Sequence, residues 1–266
     1  MKFNLYFGLS ICLLLSLSCK KEKTETAATE KEYKKITLVR TDESSAYKYD
    51  SLIFELNDNF TLKSIKEYSD FIGNVYTTVS IQSFIYLANS THIDSSVIMA
   101  SNHSYGTFDT LTENYIYQEN KLKKIFRQIN YPIVDNEIYE FSYDTSGKIS
   151  NILQTSHYHQ DTLLTNTDYL YTNNNLSSAT DGSLFSGYDS KINPLNYIYR
   201  KTKYPFFYGG SYALPFAYCF SENNPMHIIV NPIGISADQT YKYNEYNYPT
   251  EITSNWAYFN FKFYYE

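Results

Sequence analysis

Four groups of residues in this chain have types and spacings that could do chemistry. His157, His159 and Asp161 alternate in the run HYHQD. On an extended strand alternate residues share a face, so the three could hold a metal ion. The polar face of an exposed strand gives the same alternation, and no metal site is assigned here. Asp144, Asp168, Asp181 and Asp189 could supply the two carboxylates of a glycosidase. No spacing selects a pair among them, and Asp144 falls where a turn is expected. Cys219, between Tyr218 and Phe220, reads as a buried thiol on a strand. The segment YPFFYGGSYALPFAY, Tyr204 to Tyr218, is too apolar to float as a loop. Its rings suit a sugar or another apolar-faced ligand, with Tyr204, Phe206, Phe207, Tyr208 and Tyr212 as walls. The alternative is an aromatic plug packed over or inside the sheet. Nucleophile elbows, zincin motifs, phosphate-binding glycine loops and cysteine pairs are missing from the sequence. No catalytic residue and no cofactor is assigned, and the reading is non-enzymatic.

The elements that must position these residues begin after an export signal. Lys2 is followed by an apolar run from Phe3 to Leu17, then Ser18 and Cys19. That order is a secretory signal. The run is shorter than the ~20 residues that span a bilayer as a helix. Leu15-Ser16-Leu17-Ser18-Cys19 resembles the lipobox of bacterial lipoproteins, with Leu four rather than three places before the cysteine. The resemblance implies that residues 1–18 are removed and that Cys19 carries acyl chains, giving a stable membrane anchor. The charged stretch KKEKTETAATEKEYKK has no apolar periodicity and reads as a flexible tether, so residues 19–35 are the lipidated cysteine and its tether. Only Cys219 remains beyond them, so no internal disulfide is available.

Residues 36–266 read as one all-β domain. The chain carries 30 Tyr and 17 Phe against 1 Trp, a composition that favours pleated, half-buried surfaces. Sustained helical periodicity is nearly missing after Leu17. The net charge of -6 with scattered basic residues excludes a nucleic-acid footprint.

One unit recurs: two aromatic or apolar residues two apart, a polar turn, then Leu or Ile. It appears as FELNDNFTLKSI from Phe54, YIYQENKLKKI from Tyr115, FSYDTSGKISNI from Phe141 and YLYTNNNLSSA from Tyr169. YCFSENNPMHII from Tyr218 and YKYNEYNYPTEI from Tyr241 complete the set. FIYLANSTHI from Phe84 fits as a weaker copy in the longest gap. Each unit predicts a β-hairpin with both rings on one face. The turns are Asn57-Asp58-Asn59, Thr145-Ser146-Gly147 and Asn173-Asn174-Asn175, whose residues cap turns or accept positive φ. Ile149 and Ile152 lie three apart and cannot both face inward on a regular strand, which predicts a bulge or a turn position. Twelve to sixteen strands follow, as a large antiparallel meander of repeated hairpins, strongly curved or barrel-like.

FSYDTSGKISNI and YKYNEYNYPTEI resemble the YD-type repeat of the Rhs family. Together with YDSKINPL and the final FNFKFYYE they are similar to Bacteroidota lipoproteins of unknown function with a porin-like curved β-sheet. The resemblance covers about Asp50 to Glu266 and implies a fold and an envelope location, with no activity to transfer. Asp50-Ser51-Leu52, Asp109-Thr110-Leu111 and Asp161-Thr162-Leu163 resemble O-glycosylation sites of exported Bacteroidota proteins. Turn closure by Asp and Ser or Thr, with Leu opening the next strand, explains them equally.

These readings lead to a lipid-anchored protein of the cell envelope, most simply of the outer membrane, facing either side of it. Its partners are the membrane, through Cys19, and a glycan or envelope protein. One alternative is an integral outer-membrane barrel, against which stand the anchor and the terminal Glu266. Another is an envelope hydrolase acting on polymers.

Overall fold

The computed structural model describes residues 30–41, 47–71, 76–102, 107–130, 135–158, 161–205, 216–231, 234–256 and 260–266. Cys19 and most of the tether lie outside them. The compact unit is Glu32–Glu266. Tyr33 is buried and its backbone NH donates to the Tyr197 hydroxyl, so the barrel begins a few residues before position 36.

Sixteen strands run in order among the described residues. They are β1 (Lys35–Arg40), β2 (Tyr47–Leu56), β3 (Leu62–Phe71), β4 (Tyr76–Tyr86), β5 (Ile93–Asn102) and β6 (Thr107–Gln118). Next come β7 (Lys121–Asn130), β8 (Asp135–Tyr143), β9 (Ile149–Tyr158), β10 (Asp161–Thr172) and β11 (Asn175–Ala179). The last are β12 (Leu184–Ser186), β13 (His227–Val230), β14 (Ile235–Tyr243), β15 (Pro249–Ser254) and β16 (Phe261–Tyr265). Each pairs antiparallel with its neighbours, and β1 pairs with β16, so the meander closes into a barrel. The tight turns after β2, β4, β6, β8, β10 and β14 lie at one end, together with Tyr33 and Glu266.

The repeat builds this end. Glu119-Asn120 and Asn173-Asn174 each place two residues at positive φ, as a two-residue hairpin turn requires. In the longer turns Gly147 and Asn247 take the left-handed position, while Asp144 and Asn244 cap the turn. In the first hairpin it is Phe60 that has positive φ, rather than the Asn-Asp-Asn run before it.

The bulge expected from Ile149 and Ile152 is present. The β8–β9 register shifts between Ser142 and Tyr143, which turns both isoleucines inward. The same shift follows the first inward residue of the return strands β3, β5, β7, β11 and β15. FIYLANSTHI is a full hairpin, β4–β5.

Two expectations fail. YCFSENNPMHII is not a hairpin: Phe216–Phe220 is a 3-10 turn carrying the buried Cys219, off any strand. The side chains of Asn193 and Asn196 hold the carbonyls of Tyr218, Cys219 and Ser221, so the aromatic half of the unit coils, while its return half forms β13. The Asp-Ser/Thr-Leu triplets do not close turns at Asp50 and Asp109, which lie inside β2 and β6; only Asp161 opens its strand.

Between β12 and β13 the chain makes a helix, α1 (Pro194–Thr202), that the composition did not announce. Asn193 caps it, accepting from the backbone NH of Leu195 and Asn196, and Pro194 opens it. Tyr197 and Ile198 are fully buried in the core. Inward residues from around the barrel, with α1, form one apolar cluster that fills the turn end.

Near the turns the inward face is apolar, while the outward face mixes ion pairs with exposed Ile85, Ile116 and Leu170. Inward positions next to the turns are apolar: Phe54, Ile65, Ile125, Phe141, Ile152 and Phe263 are all buried. Outward positions carry cross-strand ion pairs, Lys66–Glu55 at 2.9 Å, Lys124–Glu140 at 2.8 Å and Lys242–Glu251 at 3.0 Å.

Candidate functional site

A cleft of about 320 Å³ opens at the turn end, between three neighbouring hairpin turns and the helical insertion. The turns of β6–β7, β8–β9 and β10–β11 supply Asn120, Lys121, Gly147, Lys148 and Asn174. The opposite side comes from α1 and the segment after the 3-10 turn, with Asn196, Tyr199, Arg200, Lys203 and Glu222. Tyr143 and Tyr171 stand between these two sides.

The repeat places the tyrosines. The Tyr143 hydroxyl donates to the Leu122 carbonyl at 2.6 Å and the Tyr171 hydroxyl to the Ile149 carbonyl at 2.7 Å. Both hydroxyls are thereby tied to the backbone of the neighbouring hairpin. Burial pushes both phenol pKa values well above 10, so the rings stay neutral at physiological pH.

The lysines come from the turns. Lys121 Nζ sits 5.1 Å from the Tyr143 ring centroid, and Lys148 Nζ sits 5.1 Å from that of Tyr171. Lys148 also donates to Asn174 Oδ1 at 2.7 Å, and the Asn174 amide donates to Glu222 at 3.3 Å. On the helix side, Arg200 donates to Asn196 Oδ1 at 3.0 Å. Lys203 caps α1 in the left-handed conformation and is exposed. Four cationic side chains face one carboxylate here, in a chain whose net charge is -6.

Deeper in the barrel lies a second polar cluster. Glu113 is fully buried and accepts from Arg127 at 2.7 Å, from Gln82 at 2.7 Å, from Ser96 at 3.0 Å and from Tyr115. Arg127 reaches Glu137 at 3.1 Å on its other side. Burial lowers the Arg127 pKa, but the Glu113 carboxylate outweighs it, so the guanidinium is held charged. Both carboxylates are engaged by this one guanidinium, with no open gap between an acid and a base.

Of the residues expected to wall a ligand site, the structure describes Tyr204. It is buried in this second cluster, donating to Glu113 at 3.3 Å and accepting from Gln82 at 3.1 Å, with its ring edge-on to Phe84. Phe206, Phe207, Tyr208 and Tyr212 lie outside the described residues, as does His159. His157 contacts Thr162 Oγ1 at 3.0 Å, and no metal-binding group of side chains occurs among the described residues. The four aspartates are occupied separately. Asp144 and Asp181 cap turns, Asp168 accepts from Asn151, and Asp189 accepts from the Asn224 amide and the Tyr243 hydroxyl.

The fold thus defines a closed, sixteen-stranded antiparallel barrel with an apolar interior at the turn end. A porin-like protein from Bacteroides uniformis ATCC 8492 is similar over 90% of this chain and 99% of its own, with 10% identity and a TM-score of 0.40. No protein-family model matches the chain, and no curated protein does.

Proposed function

We propose that this chain is a cell-envelope lipoprotein, held through Cys19, whose water-facing barrel binds a ligand without turning it over. The apolar cluster that fills the turn end of the barrel carries the reading. A lipid-embedded barrel needs an apolar outer band around a polar interior, and an outward lysine costs about 2–4 kcal/mol at the bilayer midplane but only about 0–1 kcal/mol near its interfaces. At its turn end this barrel is filled by an apolar cluster rather than a water-filled lumen, and its outer face there mixes the paired Lys66, Lys124 and Lys242 with exposed Ile85, Ile116 and Leu170. The cleft supplies the binding surface, with rings fixed by backbone carbonyls and cations at the rim.

Expression of residues 30–266 without the anchor tests the barrel's setting. A monodisperse product in detergent-free buffer is expected. A product that stays soluble only in detergent would return the integral barrel to first place. For the anchor, C19S is expected to abolish incorporation of labelled palmitate and release the protein from membranes.

A further inference from the structure

We propose that the turn-end cleft binds a saccharide bearing a carboxylate or sulfate. The inference rests on the non-enzymatic binding reading and adds the chemical class of the ligand.

Charge is the first argument. Lys121, Lys148 and Lys203 reach the cleft from three separate elements, and none has a carboxylate within ion-pair distance among the described residues. The protein as a whole is acidic, so this local excess of positive charge is set against the global field. Lysines act as point charges rather than bidentate forks, which suits an anionic group presented in more than one orientation.

Size and polar groups supply the rest. At about 320 Å³ the cleft stands at the lower end of small-molecule sites, and an inorganic anion alone would leave most of it empty. Asn120 lines it with an amide that can both donate and accept, and Asn174 holds Lys148 and Glu222 in place at the rim, so polar groups for ligand hydroxyls stand beside the charges. Tyr143 and Tyr171 add neutral rings beside the lysines. A ring rich in hydroxyls with one acidic substituent satisfies all three features. A neutral apolar ligand would leave the lysines unanswered.

Titration calorimetry of the full-length protein in detergent tests this. The probes are a glucuronate-containing disaccharide, its neutral glucose counterpart and inorganic phosphate. The acidic disaccharide is expected to bind at least about tenfold more tightly than the neutral one. That preference should shrink as salt rises, because exposed charges are screened within ~3 Å at 1 M ionic strength. K121Q/K148Q should weaken acidic binding at least about tenfold. K203Q, away from the ring stacks, should weaken it in the same direction even if the double variant fails to fold. Equal affinity for acidic and neutral disaccharides overturns the inference while leaving the binding reading intact. Phosphate binding without saccharide binding, or binding of no probe, also overturns it. Hydrolysis of the acidic disaccharide would instead overturn the non-enzymatic reading and leave the ligand class standing.

Discussion

The Tyr143 hydroxyl on β8 donates to the Leu122 carbonyl at the start of β7, 2.6 Å away. The same bond joins successive units around the barrel. Tyr86 donates to Leu62, Tyr171 to Ile149, Tyr188 to Leu176 and Tyr265 to Pro249. In the unit at Tyr117 the hydroxyl accepts instead, from the Ile93 backbone NH at 3.2 Å. In the units ending at Tyr86, Tyr117, Tyr143, Tyr171 and Tyr265 the second ring of the aromatic pair therefore fastens its hairpin to the beginning of the return strand before it, whereas Tyr243 donates to Asp189 instead. The local bulge frees a backbone group there, and the tyrosine satisfies it.

Removing one such hydroxyl should cost about 1 kcal/mol, the usual net value of a hydrogen bond, plus part of the desolvation of the orphaned carbonyl. Y143F and Y171F are each expected to lower stability by about 1–2 kcal/mol in urea unfolding. A conservative Phe in place of exposed Tyr264 should leave the midpoint unchanged. Equal, negligible effects at all three positions would show that the hydroxyls do not fasten the hairpins.

The Glu113–Arg127–Glu137 cluster predicts an asymmetric response. R127M strands two buried carboxylates, and E113Q leaves the guanidinium half-paired. Breaking a buried pair by removing one partner typically costs about 3–5 kcal/mol. R127M should therefore destabilise more than E137Q, whose carboxylate has the longer contact, 3.1 Å against 2.7 Å. Thermal unfolding ranks the three variants, and an R127M protein as stable as the parent would refute the account.

Alkaline pH should unfold this protein through its tyrosines. Burial raises the phenol pKa of Tyr117 to about 12, and Tyr143, Tyr169 and Tyr171 lie higher still. The unfolded chain ionises near pH 10, before the folded one, so stability is fully present below that value. It should fall as pH rises from about 10 towards the folded-state values. Ultraviolet titration should show ionisation of these phenols coinciding with loss of the barrel. Their ionisation near pH 10 in a folded protein would contradict the burial described here.

At the β8–β9 turn, Gly147 has φ +85°, and an added Cβ would meet only the far end of Lys121 at 3.9 Å. G147A is thus a test of backbone strain alone. It should cost about 1–2 kcal/mol, the penalty of left-handed backbone for a residue with Cβ. Replacement by Asn, which Asn247 already provides in the equivalent turn, should cost less.

Much of the barrel is legible in the sequence because its information is local. Phe141 and Tyr143 lie two apart, Ile149 and Ile152 three apart, and Asp144 with Gly147 states the turn between them. Closure is not local: nothing in KITLVR names FKFYY as its partner. Asn193-Pro194 does carry a helix-start signal, but nine residues of helix in a tyrosine-rich chain give periodicity little to work with. The Tyr218 copy misled because an aromatic-x-aromatic spacing also suits a 3-10 turn once two asparagines hold its carbonyls. The cleft was missed because Lys121, Lys148 and Lys203 are brought together only by the turns and the insertion, not by their spacing.

The seam between the first and last strands sets the order in which the molecule can be finished. Lys35 and Glu266 meet although they lie 231 positions apart. A ribosome releases β1 first and β16 last, so one side of β1 waits for its partner through the whole of synthesis. An unpaired strand edge is a template for a neighbouring chain. Here that edge is six residues long and begins with a charged lysine, which limits what it can recruit. The hairpins in between can lock one after another, and the circle is completed in a single late step.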